Sequence, residues 1–403
     1  MDVSALMKEA AVAKALVWVD AHLAQVVEEA VRICEIPAPT FDEGERAKYV
    51  RSRFEALGLK DVTIDAAGNV RGRRPGTAAG PGLAMAAHLD TVFPKDTDVK
   101  VRRDGSRLHA PGIGDNSVAV AALLAMVDAL NAGGVETGGD LYLASNTGEE
   151  GLGNLKGMKA FMADVKGKVA AAIAVEGMKI TRLIHEAVGS RRYKITYTAR
   201  GGHSWGHFPS PSAIHIMGRA IADISRLEVP TDPKTTYNVG VIHGGTTVNT
   251  IAAEADMLVD MRSIDAGSLA DLERRLLAVV ERAAKEGDGQ VKLELVGDRP
   301  PGSIPADHPV VQTCTAIHRA LGLKTYTEPG STDHNVPLAM GLPGVCLSVT
   351  EGANEHRLDE YIDTGPIPTG VKNILLAAVA LTSKSLMAIA ENRSEISGAG
   401  TEE

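Results

Sequence analysis

The sequence predicts an α/β protein in two parts: a larger domain with a mixed central sheet flanked by helices, and a smaller two-layer α/β unit inserted into it. Three observations carry this prediction. Short apolar runs alternate with amphipathic stretches up to residue 187, the mark of a layered α/β architecture. From residue 188 the texture changes to half-polar alternating strands in the order βαββαβ, a small unit complete in itself. After residue 299 the first texture returns, so the larger domain spans 1–187 and 300–391 around an insert at 188–299, with 392–403 expected to fray.

Taken in order, residues 4–35 carry apolar positions at helical spacing and stop at "IPAPT", and residues 43–57 read as a second helix ended by Gly58. Strand-like runs come next at "DVTIDAAGNVRGRRPG", "GLAMAAH", "GDLYLASN" and "AAAIAVEG". The helical stretches "SVAVAALLAMVDALNAGG" and "NLKGMKAFMADV" separate them. In the insert, "SRRYKITYTARGG", "TTYNVGVIHGG", "EADMLVDMRS" and "QVKLELVGD" are strands, and "SAIHIMGRAIADISRL" and "SLADLERRLLAVVERAAKEG" are helices. The larger domain resumes with the helix "VVQTCTAIHRALG", the buried-looking strand "GVCLSV" and a last helix over 366–391.

Bulk properties narrow the function classes. The chain has 403 residues, 44% hydrophobic, so two to three domains are expected at about 150 residues each. A formal charge of -9 with no basic run argues against a nucleic-acid or anionic-membrane partner and leaves a small molecule or peptide. Cys34, Cys314 and Cys346 are too scattered for a disulfide framework or a thiolate metal site and read as buried thiols. The N-terminus lacks the pattern of a secretory signal, and no run approaches the roughly 20 apolar residues of a membrane span, so a cytoplasmic protein is expected.

Several strands of the larger domain end in acids or histidine. "GLAMAA" leads to His88 and Asp90, "LYLASNTG" to Glu149 and Glu150, "AAAIAV" to Glu176, and "GVCLSVTEGANE" to His356, while Asp115 precedes a helix. In an open α/β sheet, ligands gather beyond the carboxyl ends of the strands, so these residues can converge. Each has a plain structural alternative: Asp115 suits a helix N-cap, the paired glutamates a solvated turn, and a lone histidine a structural hydrogen bond. Together, two histidines and several carboxylates in one mouth call for a cation. Imidazole with carboxylate and no thiolate suits zinc best, with cobalt or manganese as alternatives. His88, Asp115, Glu150, Glu176 and His356 exceed one catalytic zinc and fit two ions if one carboxylate bridges. Asp90, two residues from His88, is placed to accept the proton of the other imidazole nitrogen. Glu149, beside a ligand but itself unligated, suits a general base in amide hydrolysis.

The motifs "HLDTV", "GIGD", "GEE", "VEG", "GGHS", "GGTTVNTI" with "DMR", "GSTDHN" and "EHRLDEYI" span almost the whole chain. In this order they resemble the dinuclear zinc peptidases and amidohydrolases related to carboxypeptidase G, peptidase T, aminoacylase and succinyl-diaminopimelate desuccinylase. The resemblance implies that His88, Asp115 and Glu176 hold one metal ion and Asp115, Glu150 and His356 the other, with Asp115 bridging, Glu149 as general base and Asp90 orienting His88. It makes the larger domain catalytic and the insert a lid and dimerisation domain. His203 is then similar to the histidine that one subunit lends to the other to stabilise the oxyanion. Asn249 and Arg262 look like lid residues that hold substrate, and Gly330 and Ser331 like part of the loop lining its pocket. "HSWGHF" departs from the His-Ala-Gly of many relatives, which makes His207 an alternative lid histidine and lets Trp205 reshape the pocket. The expectation is a homodimeric, zinc-dependent hydrolase of small peptides or N-acyl amino acids. Two alternatives are an amidohydrolase of N-carbamoyl or ureido compounds and a non-catalytic metal-binding scaffold.

Overall fold

The computed structural model describes residues 2–383, so the final residues of the expected last helix and the expected frayed tail lie outside the described residues. The described residues divide into two compact units, one of residues 2–186 and 303–383, the other of residues 187–302.

The first unit is built on a ten-stranded mixed sheet. Its centre is four adjacent, mutually parallel strands in the order Leu141–Ser145, Gly82–Ala86, Val169–Met178 and Gly344–Ala353. Parallel neighbours end at one edge of a sheet, so these four strands deliver the residues beyond their carboxyl ends to the same place. From Gly82–Ala86 the chain crosses first to one neighbour and later to the other, which makes that edge a topological switch point. Antiparallel strands, among them Lys60–Ile64, Val70–Arg74 and Tyr361–Asp363, extend the sheet on both sides. The mixed α/β class expected from the sequence is therefore the one the chain adopts.

Alternation decides which face of the sheet takes which helices. Leu83, Met85, Leu141 and Leu143 join the main core with the helices Ala10–Ala21, Leu23–Cys34, Val118–Gly133 and Ile367–Leu381. On the opposite face the strands present Ala84, Ala86, Ala144 and Ala172 to Met158, Phe161 and Met162 of the helix Lys156–Val165. Small strand residues there admit the bulky helix residues.

Two sequence expectations need amendment. The single helical run read over 4–35 is three helices, the second and third bent by 65° where His22 interrupts them. The His22 ring stacks on Trp18 at 4.1 Å, and its Nδ1 meets the Trp18 carbonyl at 2.7 Å. Among the described residues, one helical stretch, the 21 residues Ile113–Gly133, is long and apolar enough by length and composition to cross a membrane. A count of consecutive apolar residues missed it because Asp115, Asn116 and Asp128 interrupt the run. Nearly all of it is buried as the central helix of this core.

The second unit is a four-stranded antiparallel sheet in the order Thr235–Gly244, Glu254–Ser263, Gly189–Thr198 and Gln290–Arg299. Along Glu254–Ser263, Ala255, Met257, Val259, Met261 and Ser263 are buried while Glu254, Leu258 and Arg262 are exposed. The buried residues pack with the helices Ala213–Ile224 and Ala266–Glu286 through Ile216, Leu272 and Leu276. Asp265 starts the longer helix by accepting the Ser268 N–H at 2.6 Å, a standard cap. A short extra pair, Gly202–His203 with Thr250–Ile251, lies outside this βαββαβ pattern.

Candidate metal centre

His88 is buried just beyond Gly82–Ala86. Its Nε2 lies 3.1 Å from Asp115 Oδ1 and 3.7 Å from Glu176 Oε2. On the other side of the ring, Nδ1 lies 3.0 Å from the backbone carbonyl of Asp90 and 3.6 Å from Asp90 Oδ1. A carbonyl oxygen only accepts, so Nδ1 carries a hydrogen and Nε2 is the nitrogen turned to the acids. Although burial opposes it, Asp115, Asp90 and Glu176 hold the imidazole well above its usual range, so Nε2 is protonated here and would ligate a cation on losing that proton. Asp90 thus brings its main-chain oxygen closer to Nδ1 than its Oδ1. Its carboxylate instead ties down the glutamate turn: Oδ1 accepts the Glu149 N–H at 3.0 Å, and Oδ2 accepts the Glu150 N–H at 2.9 Å and the Thr40 hydroxyl at 3.0 Å. Burial works to raise this carboxyl, but His88 and the two amides outweigh it and hold it below its usual range.

Asp115 occupies an irregular turn ahead of Val118–Gly133, with φ -116° and ψ 86° and a cis peptide to Asn116. Its carboxylate does not cap the helix. It spans the two histidines, with Oδ1 toward His88 and Oδ2 3.1 Å from His356 Nε2. The same His356 nitrogen is 3.2 Å from Glu150 Oε1. Glu176 accepts a hydrogen bond from the Thr332 hydroxyl through Oε1. Glu149 and Glu150 are each only 5% exposed, which removes the solvated-turn alternative.

Two groups of donor atoms result, His88–Asp115–Glu176 and Asp115–Glu150–His356, each within 4.8 Å internally and sharing Asp115. Burial, followed by the charge of Asp115, pushes the Glu150 carboxyl up to about 8. His356 is pushed up to about 11 by its hydrogen bonds to Asp115 and Glu150. Asp115 is pulled well down by the two histidines although burial opposes it. Protons on imidazole thus balance the buried carboxylates, a task that divalent cations perform for mixed imidazole and carboxylate donors.

Behind this cluster stand buried charges that sequence motifs alone do not single out. Glu360 accepts three backbone N–H bonds from the Asp115 loop: Gly112 at 3.1 Å, Gly114 at 2.7 Å and Asp115 itself at 2.9 Å. Glu43 accepts the Gly148 N–H at 3.1 Å ahead of Glu149. Arg46, 1% exposed, donates to the carbonyls of Leu89 at 2.7 Å, Ile36 at 2.9 Å and Cys34 at 3.3 Å. Asp333 accepts from Asn146 Nδ2 at 2.8 Å, and burial, then the charge of Glu149, pushes its carboxyl up to about 8. Glu360 and Asp333 fall within "EHRLDEYI" and "GSTDHN", so their motifs are visible in the sequence although their roles are not. Glu43 and Arg46 give no signal, because charged residues around a helix read as solvated.

Gly330 belongs to the first unit, donating its N–H to the Glu186 carbonyl at 3.0 Å, with Ser331 next to it. A Cβ at Gly330 would stand 2.6 Å from Ile184 Cδ1, so glycine lets this loop lie against the strand Leu183–Ile184. His203, Asn249 and Arg262 belong to the second unit. His203 and Asn249 lie together, since the Asn249 carbonyl accepts the Ser204 N–H at 3.0 Å. His203 Nδ1 faces the N–H groups of Trp205 and Gly206 at 3.2 and 3.3 Å, which leaves the hydrogen on Nε2. His207 Nδ1 accepts the His203 N–H at 2.8 Å. Arg262 stands at the other end of the sheet, its Nε bound to Asp260 Oδ2 at 2.7 Å. Glu254, at the His203 end of the same strand, is eight residues away, roughly 26 Å of extended chain.

A family model described as peptidase family M20/M25/M40 matches residues 84–380. The chain is 25% identical over 358 residues to a succinyl-diaminopimelate desuccinylase of Nitrosospira multiformis, covering 82% of this chain and 91% of that protein. It is 26% identical over 313 residues to an acetylornithine deacetylase of Photorhabdus laumondii, covering 72% and 76%. Among solved structures, the aminopeptidase PepT of Bacillus cereus superposes with a TM-score of 0.75 at 21% identity, over 89% of this chain and 98% of that one, a likeness of fold.

Proposed function

The chain belongs to peptidase family M20/M25/M40, hydrolases of C–N bonds, and from that premise we propose that it cleaves small peptides or N-acyl amino acids at a dinuclear metal centre, most suitably zinc. The observation that carries the proposal is the sharing of Asp115 by two three-donor groups. His88 and Glu176 would hold one ion together with Asp115, and Glu150 and His356 would hold the other with the same aspartate. Bound divalent ions supply Lewis acidity toward the scissile carbonyl and toward water.

The remaining work falls to the chain's own side chains. Asp90 fixes the His88 tautomer through its carbonyl and, through its carboxylate, holds the backbone of Glu149 and Glu150 side by side. Glu149 takes a proton from the attacking water and returns it to the departing amine. His203, with its hydrogen on Nε2, is a donor for the oxyanion, and Asn249 stands with it. Arg262 holds the substrate, with Gly330 and Ser331 lining its pocket. The roughly 26 Å of strand between Arg262 and the His203 end is too long for both to serve one substrate from one chain. This supports a homodimer in which His203 and Asn249 complete the partner's site. Three free, buried cysteines suit the reducing cytoplasm, where we place the enzyme.

The test is Glu149→Gln. The variant should keep two metal equivalents by elemental analysis and lose at least about 100-fold in kcat, the usual scale for a general base. Wild-type-like turnover in this variant would refute the assignment.

A further inference from the structure

Beside the metal cluster, a guanidinium has no adequate partner. The parallel register sets Ser348 opposite Glu176, and the antiparallel register sets Cys346 opposite Ile184 and Leu347 opposite Leu183. The Ile180 N–H donates to the Thr350 carbonyl at 3.0 Å in the same register, so Arg182, just before Leu183–Ile184, falls opposite Ser348. Glu176, Ser348 and Arg182 therefore form a row across three strands on one face, next to the packed row Ala174, Cys346 and Ile184. Arg182 is mostly buried, with a side-chain exposure of 16%. Its Nε has no hydrogen-bond partner, and neither has the buried hydroxyl of Ser348. Its ion pair, to Glu328 Oε1, is long at 3.6 Å, and Glu328 is 35% exposed. A guanidinium is not deprotonated in proteins, so the charge of Arg182 persists despite its burial. The Gly330 loop covers this face at Ile184, and Thr332 holds Glu176.

A planar fork of donors that is buried, charged and loosely paired suits a carboxylate. We propose that Arg182 reads a second carboxylate of the substrate, displacing Glu328, so that the enzyme prefers dicarboxylic acyl groups or acidic amino acids over their neutral counterparts. This deepens the reading of the site as an amidohydrolase centre and rests on it. The carboxylate could belong to the acyl or to the amine side, and the test separates the two. N-succinyl-alanine is compared with N-acetyl-alanine, and N-acetyl-glutamate with N-acetyl-glutamine, by kcat/KM on the zinc-loaded enzyme.

One pair should show a preference of about 10-fold or more for its more acidic member, the scale of a charge-assisted bidentate contact. Arg182→Met should bring that ratio near one, and Arg182→Lys should restore only part of it. Glu328→Gln should raise the ratio, which a merely structural Arg182 would not do. Calorimetric binding of glutarate against butyrate to metal-loaded and metal-stripped protein gives a readout independent of turnover. Folding of each variant is checked by thermal unfolding, with Arg182→Lys as the substitution least disruptive to packing. Glutarate binding unchanged by Arg182→Met and Arg182→Lys, or a wild-type ratio near one in both pairs, overturns the inference. Absence of hydrolysis of all four substrates together with Arg182-dependent glutarate binding would overturn the hydrolase reading and leave the anion site standing.

Discussion

Replacing Glu360 by Gln tests whether the Asp115 loop is held in place from behind. In the native fold one carboxylate oxygen accepts the N–H groups of Gly114 and Asp115, and the other accepts that of Gly112. Glutamine keeps one acceptor for the first two but turns its NH2 toward Gly112, donor against donor. Hydrogen bonds to a charged acceptor contribute about 1.5–3 kcal/mol and neutral ones about 1 kcal/mol, so losing one and weakening two amounts to about 3 kcal/mol. Burial, then the charge of Asp115, pushes the Glu360 carboxyl up to about 7, so the contrast is greatest near pH 8, where it is ionised. Loss of a partner behind a metal ligand typically weakens metal affinity 10–100-fold. Zinc competition against a calibrated chelator, with urea unfolding in parallel, measures both effects. If Glu360→Gln binds two zinc ions as tightly as wild type and unfolds at the same midpoint, the loop does not depend on this carboxylate.

Arg46→Met leaves three carbonyls without their donor and should destabilise the fold by about 3 kcal/mol or more, with Arg46→Lys intermediate, as read by urea unfolding. His318 is wholly buried and accepts from Asn373 Nδ2 at 3.1 Å, and burial lowers its pKa to about 4. The unfolded chain therefore binds the proton more readily, so this contribution is complete above about pH 6.5 and is lost as pH falls toward 4, by about 2 kcal/mol at pH 5. Replacing His318 by Gln should flatten the rise in stability between pH 5 and 7, and an unchanged slope would count against the buried neutral imidazole. His356→Ala should leave one metal equivalent by elemental analysis, since His88 and Glu176 lie in the other donor group. Retention of two equivalents would show that His356 is not a ligand.

Much of the fold was legible because periodicity survives folding: Leu83 and Met85 alternate with Ala84 and Ala86, and the βαββαβ insert reads directly from its strand and helix patterns. The donor cluster was legible for a topological reason. Parallel strands share an edge, so His88, Glu150, Glu176 and His356, distant in sequence, could be expected to meet. Residues that act on backbone atoms were not legible. Glu360 binds amides 245 to 248 positions away, and nothing about a glutamate in a loop announces three N–H groups that converge only after folding. Arg46 and Glu43 sit among charged helix residues and differ from them only in burial. The Arg182 row required the registers of three strands, information that spacing within one strand does not contain.

The insertion between Val169–Met178 and Gly344–Ala353 also sets a timetable for synthesis. Glu176 and its cross-strand neighbour Ser348 are 172 positions apart, with the whole second unit translated between them. At roughly 5–20 residues per second, a ribosome takes about 9–34 s to supply the missing strand. For that interval Val169–Met178 is an apolar strand with one side unpaired, the kind of edge that recruits other chains. The nascent protein therefore has its greatest need of chaperone shelter while residues 187–302 are being made, and slower translation through that stretch should raise the yield of aggregate rather than of enzyme.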